Sequence, residues 1–251
     1  MKSIIIKSQE EIEAMRHAGQ ILTQTLDLLA KEVKAGISTA ELDAIAEDFI
    51  RSHEGCVPGF KGYHGFTGSI CASINEEAVH GIPAKDRVLK EGDVVGLDAG
   101  VYYKGLHTDA CRTFVIGEVP HEVKQFVKVT KEALVKGVKQ VRPGGHIGDI
   151  SAVIQETLER FDYEPVIECT GHGVGHDLHE APEIMNVGSR GTGPVMRPGM
   201  VLAIEPISAM GIGKIRTAKD GWTLYTADSS LSAHFEQTVL VTETGYEILA
   251  Y

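Results

Sequence analysis

Long apolar runs are missing from this 251-residue sequence, and none approaches the roughly 20 residues that a membrane-spanning helix needs. The N-terminus, MKSIIIKSQEEIEAM, holds an apolar stretch of only three residues before charged residues begin. That stretch is too short for the apolar region of a secretory signal. We therefore expect a cytoplasmic protein that has no membrane partner.

Basic clusters and paired cysteines are also missing. Lys and Arg total 24 against 35 Asp and Glu, and the formal net charge is -11. Because phosphate contacts need clustered basic side chains, we expect no nucleic-acid binding by the chain itself. Four cysteines are too sparse for a disulfide scaffold, and none forms the C-x-x-C pair of a zinc knuckle. We expect free and mostly buried thiols at Cys56, Cys71, Cys111 and Cys169.

What is present is an ordinary globular composition, 43% hydrophobic and 24% charged, in a chain long enough to bury a full core. Two capping-box patterns, Ser8 with Glu11 and Ser38 with Glu41, predict the starts of two helices. Apolar residues at helical spacing follow each pattern.

The predicted elements alternate in a repeated order of two helices followed by strands. The second pair of helices is expected over about 120–140 and 147–160, and strands over 70–75, 93–103, 201–208 and 235–242. An internal duplication accounts for this order. The segment VLKEGDVVGLDAG matches VMRPGMVLAIEP, which places Asp98 opposite Glu205, 107 residues later. His80 in VHGIP likewise matches His179 in LHEAP, 99 residues later.

The duplicated unit predicts an α+β fold in a single domain over residues 1–251. Its two pseudo-symmetric halves are expected over about 8–118 and 119–251. Their sheets join into a mostly antiparallel sheet with the helices packed on one side. Because repeat-related residues lie near the pseudo-two-fold axis, we expect a cleft built from both halves.

Asp98 and Glu205 stand in segments that are apolar on both strand faces, so both carboxylates are expected to be buried. An unpaired buried carboxylate costs roughly several kcal/mol, and on the order of tens by idealised Born solvation. Each must therefore be protonated, paired with Lys or Arg, or bound to a metal ion. Neither segment offers a basic partner nearby, although a partner from elsewhere in the chain stays an alternative.

Three further side chains favour metal binding. Asp109 follows Asp98 across a turn that contains Gly105, and antiparallel strands joined in this way can place both carboxylates on one face. Glu236 lies in the apolar strand of AHFEQTVLV, and His172 lies in TGHGVGH, where flanking glycines allow a ligand to approach the backbone. Four carboxylates and one imidazole suit two divalent ions of the Mn, Fe(II) or Co type, with Zn as a further candidate. The set fits a closed structural zinc site poorly.

A dinuclear site predicts hydrolysis of an amide or ester, because two ions lower the pKa of a shared water and polarise a carbonyl. Glu205 is the candidate general base while also binding metal. His80 and His179, at strand-to-loop junctions, are candidates for hydrogen bonding to the scissile amide and the tetrahedral intermediate. His107 and His234, each two residues before a carboxylate, share its strand face, and the sequence leaves open whether either reaches the site.

The ordered motifs NEEAVHGIP, LDAG, TDACRTF, TGHGVGH, LHEAP, AIEP and SAHFEQTVLVT resemble those of the type I methionine aminopeptidases over nearly the whole chain. The resemblance implies the pita-bread fold and removal of the initiator methionine from nascent chains whose second residue is small. It also implies association with the ribosome, whereas a monomer is only the default expectation.

The resemblance assigns roles residue by residue. It implies metal ligands at Asp98, Asp109, His172, Glu205 and Glu236. It implies substrate-binding and catalytic histidines at His80 and His179. By motif position alone, it implies a methionine pocket at Tyr63, Phe66, Cys71 and Trp222. Phe60, His176 and Leu178 depart from the best-known members, and we expect them at the pocket rim.

Related activities are disfavoured by particular features. Prolidases and proline aminopeptidases share the five ligands but generally carry an extra N-terminal domain, for which the sequence before Ser8 leaves no room. Type II methionine aminopeptidases carry an insertion between the positions of His172 and Glu205, which are only 33 residues apart here. A non-catalytic binding module with this fold would have lost ligands, and all five are present.

Overall fold

Four α-helices and fifteen short strands make up residues 3–251, which are the residues that the computed structural model describes. The helices are α1 (Gln9–Glu32), α2 (Thr39–Arg51), α3 (His121–Val138) and α4 (Ile147–Glu159). All four predicted helices are therefore present. Both capping boxes are formed, since the backbone N–H of Ser8 donates to Glu11 at 2.7 Å and that of Ser38 donates to Glu41 at 2.9 Å. Within residues 3–251, none of the helices is both long and apolar enough to cross a bilayer.

All pairings between the described strands are antiparallel. The first five strands are β1 (Cys56–Pro58), β2 (Ile70–Ile74), β3 (Glu77–Val79), β4 (Val94–Tyr103) and β5 (Leu106–Val115). The others are β6 (Glu164–Pro165), β7 (Gly171–Gly173), β8 (Glu180–Ile184), β9 (Val201–Ile204), β10 (Ile207–Ala209), β11 (Ile215–Thr217), β12 (Leu224–Thr226), β13 (Ser232–His234), β14 (Gln237–Val241) and β15 (Tyr246–Ala250). They form four sheets, ordered β1-β4-β2 with β5 beside β4, β13-β10-β6, β11-β12-β3, and β15-β14-β9-β7-β8.

The two halves of the chain repeat each other in structure. Isolated backbone bridges pair Ser38 with Val88 and His146 with Val195, so the bridged positions are 108 and 107 residues apart. One apolar core joins α1 and α2 to β2 and β4, and a second joins α3 and α4 to β9 and β14. These features support the duplication, and the division at about residue 118 stays a prediction.

Hydrogen bonds between β5 and the segment before β14 connect the halves. The backbone N–H of Glu236 donates to Cys111 at 2.9 Å, and the N–H of Cys111 donates back at 3.4 Å. Thr238 accepts from the N–H of Asp109 and donates to its carbonyl oxygen, at 2.9 and 2.7 Å. The sheets therefore meet through local contacts rather than through one continuous ladder.

Two of the predicted strands are interrupted at carboxylates of interest. The segment 201–208 forms β9 and β10, which are separated by Glu205 and Pro206, and Glu236 lies between β13 and β14. Since β9 and β14 belong to one sheet and β10 and β13 to another, the chain changes sheets at both positions. Pro206 has no N–H for a ladder, which favours the break. The prediction that Glu205 and Glu236 lie within strands was therefore wrong.

The cysteines are free, as predicted. Cys56, Cys71 and Cys111 are buried, and Cys169 is half-buried.

Candidate metal centre and adjoining cavity

Asp98 and Asp109 occupy the same face of the β4–β5 hairpin. Lys104 and Gly105 form its turn with φ values of 49° and 85°, the positive angles of a tight hairpin turn. The strand register pairs Gly100 with Asp109, and Asp98 precedes Gly100 by two residues. Because side chains alternate along a strand, both carboxylates point to one side of the sheet.

His172 enters the site from β7, where glycines on both sides allow neighbouring strands to approach. A Cβ at Gly171 would lie 2.5 Å from the carbonyl oxygen of Ala203, and a Cβ at Gly173 would lie 2.2 Å from that of Ala181. The glycines thus serve strand packing, whereas the sequence suggested close approach to a ligand. His172 Nδ1 lies 2.9 Å from the Gly173 carbonyl oxygen, so Nδ1 carries the proton and Nε2 keeps its lone pair.

The five predicted ligands converge from both halves of the chain. One ligand atom each from Asp109, His172 and Glu236 lies within 4.8 Å of the other two. Glu205 Oε1 lies 3.4 Å from His172 Nε2, and Asp98 lines the same cavity. The structure therefore brings all five residues to one place.

Burial makes the charged forms of these groups unfavourable in the absence of a cation. It raises the pKa of Asp98 to about 7 and lowers the pKa of His172 to about 3. Burial, followed by repulsion from neighbouring carboxylates, raises the pKa values of Asp109, Glu205 and Glu236 well above their usual range. A cation held among these groups would offset both effects.

Unsatisfied oxygen atoms show that the residues fit divalent metal ions. Asp98 Oδ1, Asp109 Oδ1 and Glu236 Oε1 are buried and have no hydrogen-bond partner. Across the described range, 3–251, the ion pairs of this cluster involve histidine only, so the alternative of a Lys or Arg partner is not realised there. Buried carboxylate oxygens with one imidazole nitrogen match the ligand preferences of Mn, Fe(II) and Co.

A cavity of about 100 Å³ adjoins the cluster. The predicted metal ligands line it together with the two candidate histidines and the four predicted pocket residues, which are Tyr63, Phe66, Cys71, His80, His179 and Trp222. Its apolar wall is one hydrophobic cluster that also contains Phe60 and Leu178. The Phe66 and Trp222 rings meet edge to face, with centroids 5.1 Å apart.

His80 and His179 reach the cavity from opposite halves of the duplication. His80 follows β3 in a left-handed conformation (φ 61°), and burial lowers its pKa to about 4. His179 precedes β8, and its Nδ1 shares a 3.0 Å hydrogen bond with the Tyr63 hydroxyl. The ring centroids of His179 and His172 are 4.4 Å apart. Both histidines thus stand between the carboxylates and the apolar wall.

Comparison with known proteins decides the family. The sequence model of metallopeptidase family M24 matches residues 13–243. A methionine aminopeptidase of Clostridium acetobutylicum is 50% identical over 246 residues, which is 98% of each chain. The chain belongs to metallopeptidase family M24.

Solved structures of M24 relatives confirm the predicted fold. The crystal structure of a methionine aminopeptidase from Thermotoga maritima superposes with a TM-score of 0.96 at 43% identity, covering 98% of this chain and 99% of that one. A prolidase from Pyrococcus furiosus superposes with a TM-score of 0.80 at 26% identity, covering 98% of this chain and 65% of the prolidase. The M24 chain described here therefore has the pita-bread α+β fold and is a metallopeptidase.

Sequence reasoning placed some residues of this M24 site only in part. His234 and Val79 also line the cavity, and the alternation of side chains before Glu236 was the only signal for His234. His107 lies outside it, against the Tyr102 ring at 4.6 Å between centroids. Phe60 and Leu178 form part of the wall itself, whereas they were expected only at the rim. His176 does not line the cavity, and it pairs at the surface with Glu11 at 2.7 Å.

Proposed function

We propose that this M24 metallopeptidase removes the initiator methionine from newly made polypeptides whose second residue is small. The observation that carries the proposal is an apolar cavity that opens directly against the carboxylate cluster. Such a cavity holds one apolar side chain beside the amide that is to be cleaved. Relatives at 47–50% identity over 98% of the chain carry the name methionine aminopeptidase.

Methionine suits the chemistry of the cavity wall. Phe60, Phe66 and Trp222 supply aromatic rings, and thioether sulfur makes favourable contacts with aromatic edges. Cys71 and Leu178 complete an apolar surface for an unbranched side chain. The restricted volume of about 100 Å³ favours a slender side chain over a second aromatic ring.

Five residues are proposed to hold two divalent ions: Asp98, Asp109, His172, Glu205 and Glu236. Mn, Fe(II) and Co are the preferred candidates, with Zn as a further one. When bound, such ions lower the pKa of a shared water and polarise the substrate carbonyl.

The remaining steps belong to side chains of the chain. Glu205 is proposed to accept the proton of the attacking water and to deliver it to the leaving amine. Its carboxylate is adjacent to the ligand cluster, 3.4 Å from His172. His80 and His179 are proposed to hydrogen-bond the scissile amide and the developing oxyanion. The Tyr63 hydroxyl at 3.0 Å from His179 Nδ1 limits how that ring turns.

A peptide panel tests the proposal. Protein stripped by a chelator is expected to be inactive, and restoring Mn, Co or Fe(II) is expected to restore cleavage of Met-Ala-Ser. Met-Trp-Ser and an Xaa-Pro dipeptide are expected to be poor substrates. Cleavage of the Xaa-Pro dipeptide without cleavage of Met-Ala-Ser contradicts the proposal and favours a prolidase.

Three expectations on the setting of this activity accompany the proposal. Cytoplasmic location, docking on the ribosome and a monomeric state stay predictions. The first rests on the sequence, the second on the family resemblance, and the third is a default.

A further inference from the structure

His234 carries a buried imidazole nitrogen that points into the site, although nothing assigns it a role. Its backbone is fixed against β5, since its N–H donates to the Thr113 hydroxyl at 3.0 Å and its carbonyl oxygen accepts from that hydroxyl at 2.6 Å. The Cys111 thiol also donates to this carbonyl oxygen at 3.5 Å. The side chain lines the cavity and is only 5% exposed.

The free nitrogen of His234 faces the proposed general base. Nε2 lies 3.5 Å from Glu205 Oε2 and 3.9 Å from Glu236 Oε2, and it makes no hydrogen bond. On the other oxygen of the same carboxylate, Glu205 Oε1 lies 3.4 Å from His172 Nε2. The Glu205 carboxylate therefore stands between two imidazoles, one at each oxygen.

The two imidazoles present different atoms to Glu205. The Nδ1 of His172 is satisfied by a backbone carbonyl, which leaves a lone pair at Nε2 for a cation. His234 Nε2 faces two carboxylate oxygens, so a lone pair there would be repelled, whereas an N–H would be attracted. Burial keeps the ring neutral, because it lowers the pKa of His234 to about 3. A neutral ring with its proton on Nε2 satisfies these conditions.

We propose that His234 is a positioning residue that donates from Nε2 to Glu205 Oε2 and thereby holds the carboxylate in the orientation needed for proton transfer. The inference rests on the role of Glu205 under the proposed function. A shift of a few tenths of an ångström would bring the 3.5 Å separation into ordinary hydrogen-bond range. Because the interaction acts on the base and leaves the apolar wall unchanged, it affects kcat more than KM.

Two variants of His234 separate this role from direct metal binding. His234→Leu removes the donor and keeps an apolar side chain, whereas His234→Gln restores an N–H donor of similar reach. Each is compared with wild type and with His121→Leu, an exposed histidine outside the site. The measurements are kcat and KM on Met-Ala-Ser, Mn(II) affinity from the EPR signal of free Mn(II), and the thermal unfolding midpoint.

The expected result is a kcat lowered about 10–100-fold in His234→Leu, the usual range for residues that orient ligands, with KM within about threefold. His234→Gln is expected to recover at least a third of the lost kcat, and Mn(II) affinity is expected to stay within tenfold in both variants. An affinity loss as large as that of Glu236→Gln identifies His234 as a ligand and overturns the proposal. A kcat within twofold of wild type in His234→Leu, or no recovery in His234→Gln, overturns it equally.

The design distinguishes this inference from the proposed function. If the wild-type protein does not cleave Met-Ala-Ser, the proposed function fails and the kcat comparison moves to the peptide that is cleaved. The Mn(II) affinities decide between donor and ligand in either case. If His234→Leu does not fold, the inference is decided by His234→Gln, whose kcat must exceed that of His234→Asn, an amide too short to reach Glu205.

Discussion

The ammonium group of Lys7 lies 2.6 Å from Glu180 Oε2, and both side chains are almost fully buried. This ion pair joins the segment before α1 to the residue that follows His179. The lysine passes through space left by Gly175, where a Cβ would lie 2.1 Å from its Cε. The other Glu180 oxygen accepts from the N–H of Asp177 at 3.1 Å. The pair therefore anchors the loop that carries one of the two cavity histidines.

Replacing Lys7 with Met is expected to cost about 3–5 kcal/mol of unfolding free energy, because Glu180 would remain buried without a cation. Urea unfolding monitored by circular dichroism measures the change. Lys124→Met is the control, since its partner Glu118 is fully exposed and no shift of the midpoint is expected. The double variant Lys7→Met with Glu180→Leu is expected to recover most of the loss. A single variant as stable as wild type contradicts the anchoring role.

Asp98→Asn and Glu236→Gln are each expected to abolish peptide cleavage and to lower metal content. Both carboxylates have a buried oxygen with no hydrogen-bond partner, so a cation is their only stabilising neighbour. Elemental analysis and peptide hydrolysis, each with Asp228→Asn as a surface control, provide the measurement. Full activity in either variant removes that residue from the ligand set.

Glu47 is expected to contribute an acid-sensitive part of the stability. Its hydrogen bond to Lys61, with further bonds to Arg51 and Ser69, lowers its pKa from 4.5 to about 2. Because the folded-state pKa is depressed, the contribution is complete above about pH 4.5 and is lost as pH falls towards 2.

The variant Glu47→Gln tests this dependence. Wild type is expected to have the higher unfolding midpoint at pH 6, and the difference is expected to shrink steadily between pH 4.5 and 2. Differential scanning calorimetry at a series of pH values measures it. A difference that stays constant over this window shows that Glu47 does not act through its charge.

Gly19→Ala is expected to destabilise the protein, although alanine is the better helix former by about 1 kcal/mol. A Cβ at Gly19 would lie 2.1 Å from the carbonyl oxygen of Leu249 on β15, and backbone cannot move aside as a side chain can. We expect a loss of about 1–3 kcal/mol from overpacking. Gln20→Ala, on the exposed side of the same helix, is the control. Stabilisation by Gly19→Ala would show that β15 is free to shift.

Local chemistry made much of this protein predictable from its sequence. Ser8 and Ser38 cap helices with their own neighbours, so the interactions that start α1 and α2 span only three residues. The same holds for the hairpin turn at Gly105, which directs Asp98 and Asp109 to one face. Residue type then indicated a metal centre, because buried carboxylates without basic neighbours need a cation.

Contacts between distant segments decided the rest. His107 and His234 each precede a proposed ligand by two residues, yet only His234 lines the cavity, because β5 and β13 have different neighbours there. Alternation along a strand gives the face of the sheet, and it does not say what packs against that face. The breaks at Glu205 and Glu236 likewise depend on how four sheets meet.

The sequence by itself therefore determined which side chains could bind metal and substrate, and that the chain is built from two similar halves. Tertiary structure alone decided that Glu205 stands between His172 and His234, and that Lys7 reaches Glu180 across 173 residues. The physical reason is range. Caps and turns are set by neighbours within a few residues, whereas the orientation of a buried side chain depends on every segment that packs around it.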